Sequence, residues 1–258
     1  MSGSIYIFDQ RHQRPLHILE DFHTDEITQI LVHPLHVERF LTASLDNLVC
    51  MFDSNQPIQN NAKNDSPYEG WNIWTMNTES DVRRCGFFGA ESEYVYTLST
   101  TESLSLFSLH SGECVSKFGD VRIGLAAQAQ RSIDYAVDCC FIDGRLFLVS
   151  GNNNGLLAVS HINQSDMQIV ALMDTLDKFD YYHVHERDVN IKTTVENVNV
   201  QSEEPQNPSI DAASSSTPIF SFNSFQPAHH SAIRDVIWTM NSTLITAGED
   251  GKICVWKK

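Results

Sequence analysis

One phrase recurs along this chain and restricts its fold more than anything else in the sequence. An apolar residue, two positions, a second apolar residue, one position and a bulky residue appear as Ile27-x-x-Ile30-x-Val32 and Val82-x-x-Cys85-x-Phe87. They appear again as Ala136-x-x-Cys139-x-Phe141 and Ile233-x-x-Val236-x-Trp238. After each comes a second alternating run ("RFLTASL", "YVYTLST", "RLFLVSG", "TLITAGE"). A polar turn and a third run follow ("NLVCMFD", "SLSLFSL", "GLLAVSH", "KICVWKK"). Period-two runs of five to seven residues between turn residues predict antiparallel strands, and no long stretch carries a helical period.

The four phrases start 55, 54 and 97 residues apart. Structural repeats built from four short strands run roughly 40–45 residues. The excess is polar. Residues 54–70 ("SNQPIQNNAKNDSPYEG") lengthen the first unit, and residues 174–226 lengthen the third. The second insert contains "NVQSEEPQNPSIDAASSSTP", too poor in apolar residues to bury a core of its own. The expectation is a flexible loop, with a candidate phosphorylation site around Ser216 and Thr217-Pro218 or no more than a spacer.

Charge narrows the partners. Seventeen Lys and Arg stand against 33 Asp and Glu, a net charge of −16. Such a surface repels phosphate backbones and anionic lipid, so neither nucleic acid nor membrane is expected as a partner. No apolar run approaches the roughly 20 residues of a membrane span. The six cysteines form no C-x-x-C pair and mostly sit in apolar alternating runs. They read as reduced, buried thiols of a cytoplasmic or nuclear protein.

Two units share a second pattern. His23, Thr42, Asp46 and Phe52 in the first match His229, Thr246, Asp250 and Trp256 in the last. His and Asp are 23 and 21 residues apart, and Asp and the aromatic residue six in both. With these residues the chain resembles the WD-repeat β-propellers. In that family the His, Ser/Thr, Asp and Trp form a hydrogen-bonded set inside each blade, which satisfies polar groups that would otherwise be buried unpaired. Phe52 departs from the pattern by lacking the indole N–H. The second unit places Glu102 in its turn and ends in Phe107-Ser108, and the third has "GNNNG" and no closing Trp-Asp.

The resemblance implies an all-β fold: a single WD-repeat β-propeller over residues 1–258, with four blades and a half blade. In the half blade, Ser4–Phe8 reads as a third strand and Pro15–Phe22 as an outer strand, while the last blade reads as lacking its outer strand. Family members close with about seven blades, because closure protects sheet edges. The expectation is therefore a ring truncated at its N-terminus by roughly 100–130 residues at the usual repeat length. The alternative is a short form that borrows strands from a partner.

The resemblance hands over no catalytic residue and no cofactor. No phosphate-binding, metalloprotease or nucleophile-elbow motif is present. "HVHE" at 183–186 lacks a fourth partner in sequence, so no metal is expected. No small-molecule substrate is expected either. The reading is a non-catalytic scaffold for protein–protein interaction. An alternative rests on Phe8-Asp9-Gln10-Arg11, which resembles the W-D-x-R ending of propellers that dock on the adaptor of cullin-4 ubiquitin ligases. Asp9 and Arg11 would then contact the partner.

Overall fold

The computed structural model describes residues 3–58, 67–123, 125, 132–163, 168–171, 180–184, 229–239 and 243–257. Each repeated phrase is a sheet of its own. The first blade orders β3 (Ile27–Val32), β4 (Arg39–Ser44), β5 (Leu48–Asp53) and β6 (Asn72–Asn77) from inner to outer edge. The second contains β7 (Val82–Phe88), β8 (Tyr94–Ser99), β9 (Ser103–Ser108) and β10 (Cys114–Asp120). The third contains β11 (Tyr135–Ile142), β12 (Arg145–Gly151), β13 (Leu157–Asn163) and β14 (Gln168–Ala171). Ahead of these, β1 (Gly3–Phe8) and β2 (Pro15–His23) pair as an antiparallel half blade.

The last blade corrects the expectation that it lacks an outer strand. Its order is β16 (Ile233–Trp238), β17 (Leu244–Gly248), β18 (Ile253–Lys257) and then β15 (Asp180–Val184). β15 comes from the segment read as polar insert, and it pairs Asp180 with Lys257 through Val184 with Ile253. The backbone edge of β18 takes up a strand that the composition of its surroundings concealed. The rest of that insert beyond Val184, with Ser216, Thr217, His185 and Glu186, lies outside the described residues. In the first insert, residues 59–66 do too. Its base is stapled where the Trp71 indole N–H donates to the Gln56 carbonyl at 2.7 Å.

Each sheet is apolar on both faces, so each must be covered twice. Ile5 and Leu19 of the half blade pack on Cys50, Phe52 and Trp71. Leu41, Ala43, Val49 and Met51 of the first blade pack on Val82, Cys85, Val95 and Phe107 of the second. Tyr96, Leu98, Leu104 and Leu106 continue onto Ala136, Cys139, Leu146 and Leu148 of the third. Val137, Val149 and Val159 then meet Ile233, Val236 and Leu244 of the last. The core is a series of inter-sheet layers rather than one centre.

The inner strands carry a second tie. The register slips near the start of every inner strand, between Ile27 and Gln29, Val82 and Arg84, Ala136 and Asp138, and Ile233 and Asp235. Such a bulge frees one residue from its own ladder and redirects its side chain. Thr28 donates across to the Val82 carbonyl at 2.7 Å, and Arg83 to the Ala136 carbonyl at 2.8 Å. Val137 has no donor, and there the Ile233 N–H donates to the Tyr135 hydroxyl at 2.7 Å.

Leu41 is fully buried between the first two blades. Leu41→Ala should cost about 2–5 kcal/mol by loss of buried surface and by the cavity it leaves. Urea denaturation of the two proteins measures the difference; a change below 1 kcal/mol would mean the layer is not packed as described.

Candidate functional site

The polar residues singled out by spacing meet inside the first and last blades. In the last, the Trp256 indole N–H donates to the Thr246 hydroxyl at 3.0 Å. Thr246 lies 2.9 Å from His229 Nε2, and His229 Nδ1 lies 3.0 Å from Asp250. A carboxylate only accepts, so the neutral imidazole carries its proton on Nδ1 and takes the threonine proton at Nε2. The bonds therefore run one way, from indole to hydroxyl to imidazole to carboxylate. Asp250 also accepts from the His230 and Lys252 amides at 2.9 and 3.1 Å, which ties the turn to the strand entry.

The first blade repeats the geometry without the indole. His23 Nε2 lies 2.7 Å from Thr42, and Nδ1 lies 3.0 Å from Asp46. Asp46 accepts from the Thr24 and Leu48 amides. Phe52 stacks on Phe40 and meets Phe22 edge-on, each with ring centroids 5.0 Å apart. Aromatic packing occupies the place of the missing donor.

The middle blades depart further. The residue after the turn acid is left-handed in each: Asn47, Gly155 and Gly251 hold that place, and so does Glu102 at φ 63°. Glu102 is thus not the turn acid that its position in sequence suggests. Thr101 sits where Asp46 and Asp250 sit, bonded to Ser99 at 2.8 Å. A left-handed non-glycine residue is strained, and the Glu102 carboxylate reaches forward to accept the Ala136 amide of the next blade at 2.6 Å. In the third blade the Asn152 side chain closes the turn by accepting from the Asn154 and Leu156 amides.

Asp9 and Arg11 form a local fork at the exposed end of β1. Arg11 Nε donates to Asp9 at 2.9 Å and Nη2 at 2.5 Å, while the arginine side chain is 78% exposed. The guanidinium beside it holds the Asp9 carboxyl below its ordinary range. The same fork recurs after β10, where Arg122 clamps Asp120 at 2.9 and 2.6 Å. The D-x-R turn is a self-contained structure that occurs twice among the described residues.

A further cluster sits on the inner strands and was not legible in sequence. The Tyr96 hydroxyl donates to Asp138 at 2.8 Å. Burial pushes the Asp138 carboxyl up, against the pull of Tyr96 and the Cys139 amide. Arg84 reaches Asp235 of the last blade at 3.4 Å. Four polar side chains at one bulge position (Gln29, Arg84, Asp138, Asp235) would have been the signal. Cys50, Cys85, Cys139 and Cys254 are buried, and burial pushes the Cys50 and Cys254 thiols up to about 11, so they stay protonated at neutral pH. Among the described residues no group of three or more His, Cys, Asp or Glu could hold a metal ion. No helix among them is long and apolar enough to cross a membrane.

Stacked four-stranded antiparallel sheets with a His–Thr–Asp set in the turn define a β-propeller of the WD class. The sequence is similar to WD-repeat proteins. The family model described as "WD domain, G-beta repeat" matches residues 217–257. WD repeat-containing protein 89 homolog of Dictyostelium discoideum is 30% identical over 136 residues, 52% of this chain and 35% of that protein. WD repeat-containing protein GTS1 of Arabidopsis thaliana is 25% identical over 161 residues, 62% of this chain and 39% of that one. The chain thus matches little more than a third of these relatives' length. The crystal structure of the WD40 β-propeller domain of Doa1 aligns over 99% of this chain and 57% of its own, with a TM-score of 0.51 and 11% identity. A chain of the mitotic checkpoint complex aligns over 99% and 58%, with a TM-score of 0.57 and 11% identity. At that identity the likeness concerns the fold alone.

Asp250→Ala should destabilise the last blade by about 1–3 kcal/mol, because it leaves an imidazole and two amides without their acceptor. Thermal melting checks this, and an unchanged melting temperature would remove the carboxylate from any structural role. The same residue sets an acid limit. Burial pushes its carboxyl up, but the His230 amide and the His229 ring outweigh that and bring it down to about 2. The folded state therefore holds the proton less tightly than the unfolded chain. The stabilisation is complete above the ordinary carboxylate value of about 4 and is lost as pH falls toward 2. Melting temperatures recorded from pH 5 to pH 2 should fall less steeply for Asp250→Asn than for the natural protein.

Proposed function

We propose that this chain is a non-catalytic WD-repeat scaffold that binds other proteins. The observation that supports it most is where the polar side chains go. The imidazoles of His23 and His229, with their carboxylates and hydroxyls, are spent on one another inside the blade turns. They stiffen a stack of sheets whose loops and edges face outward, which is the arrangement rigid platforms use to present binding surfaces. The family is generally one of non-enzymatic scaffolds. Six free cysteines fit a reducing compartment, and we place the protein in the cytoplasm or nucleus on that ground.

A second reading has its own observation. Arg11 lies at the exposed tip of the half blade, where Asp9 engages Nε and Nη2 and fixes the plane of the guanidinium. The N–H groups that Asp9 does not engage can pair with carboxylates and carbonyls of a docking protein. The partner proposed is the adaptor of a cullin-4 ubiquitin ligase, with Phe8 in place of the usual Trp.

Purified adaptor and the full chain test this directly by calorimetry. Binding that weakens at least tenfold in both Arg11→Ala and Asp9→Ala supports adaptor docking. Binding that both variants leave unchanged, or no binding at all, counts against it. The scaffold reading is tested separately. Cross-linking of the tagged chain in cells should give a stoichiometric protein complex that survives gel filtration, and a chain that always elutes alone would overturn it.

A further inference from the structure

Three histidines are buried among the described residues, and their rings are not held alike. His23 and His229 turn Nδ1 toward a carboxylate, so a charge gained there meets an opposite one. At His33 the same nitrogen accepts the Leu35 amide at 3.2 Å. An amide N–H only donates, so this contact needs a bare Nδ1, in a neutral ring protonated on Nε2.

The ring closes a seam between two blades. His33 follows β3 at the start of the turn to β4, and it is 5% exposed. Its ring lies 4.8 Å from the Phe87 ring of the second blade and 4.9 Å from His36 of its own turn, centroid to centroid. Three main-chain bonds brace that turn. The His33 N–H donates to the Arg39 carbonyl at 2.8 Å, the Arg39 N–H to the His36 carbonyl at 2.9 Å, and the His36 N–H to the His33 carbonyl at 3.3 Å. Across the seam is the turn from β7 to β8, where the buried Ser92 holds a left-handed φ of 57°.

The surroundings oppose a further proton. Burial holds His33 below its ordinary value, and His36 and Arg39 push the same way. A backbone hydrogen bond with Ser92 and the Glu38 carboxylate pull less strongly in the other direction. Arg39 is tied to Asp53 at 3.3 Å, and Glu38 lies 3.7 Å from His36. In the second blade, Glu93 turns back onto the Glu91 amide of its own turn, 2.9 Å away.

We infer that His33 is a proton-sensitive latch between the first and second blades: a proton on Nδ1 releases the 33–39 turn from the 89–93 turn. The added proton turns an acceptor into a donor aimed at the Leu35 N–H, and it leaves a buried charge beside His36 and Arg39. Rotation of the ring into water relieves both and uncovers Phe87. The folded state binds this proton less tightly than the unfolded chain. The latch is therefore complete above the ordinary histidine value of about 6.5 and is lost as pH falls through the lower folded value.

Hydrogen exchange of the full chain between pH 7.5 and pH 5 tests this. After correction for intrinsic rates, protection at residues 33–39 and 89–93 should fall at least tenfold at the acid end, while residues 41–43 and 95–98 of the adjoining strands keep theirs. His33→Asn keeps an acceptor near the Nδ1 position and cannot take the proton, so its protection should stay level over the same range. Level protection in the natural protein overturns the latch, and so does a fall of equal size in the variant. The His33 ring's own titration, followed through its Cε1 proton in the unsubstituted protein, makes the test independent of how the variant folds. The midpoint should lie below about 6.5 and coincide with the loss of protection. A ring that titrates while both turns stay protected would overturn the proposal.

Discussion

Every sheet among the described residues is apolar on two sides, and no sheet can bury both against itself. Leu41 and Val49 point toward one neighbour, Cys50 and Phe52 toward the other, and all four are almost completely withdrawn from water. At about 25 cal/mol per Å² of apolar surface, an uncovered face would cost more than a small sheet can supply. Stacking in series is the solution, and it makes each joint depend on the one before. The bulge donors Thr28 and Arg83 add direction to this otherwise undirected packing, because each donates to one particular carbonyl of the next sheet.

The hydrogen-bonded sets in the turns solve a different problem. A strand that enters a blade beside a tight turn leaves amides with no ladder partner. Asp46 and Asp250 each accept two of them and hold an imidazole in place. The variation between blades shows which part of the set is indispensable locally. The first blade loses the indole and fills the space with Phe52, stacked on Phe40. The second loses the acid and sends Glu102 to the neighbouring blade instead. In both, the polar side chains of the turn still find partners, Asp46 in His23 and Glu102 in the Ala136 amide.

Much of this was legible in the residues. Period-two runs predicted the strands, and the spacing of His, Thr and Asp marked side chains that meet in the first and last blades, joined in the last by Trp256. Three things were not legible. Glu102 looked like a turn acid, but one residue of offset puts it in the left-handed seat, and single-residue register is invisible to a pattern of period two. Asp180–Val184 looked like part of a polar insert, because strand formation there depends on an open edge of β18 and not on local composition. Arg84 and Asp235 are 151 residues apart, and only the stacking order brings them together.

The sequence alone therefore determined the repeated strand, the turn chemistry and the class of fold, since all of these are local and each repeat restates them. Tertiary structure decided which faces are covered and where each bulge donor lands. Those are relations between sheets. They arise from the requirement that an apolar face meet another, and a sequence pattern can show that the face exists without showing what lies against it.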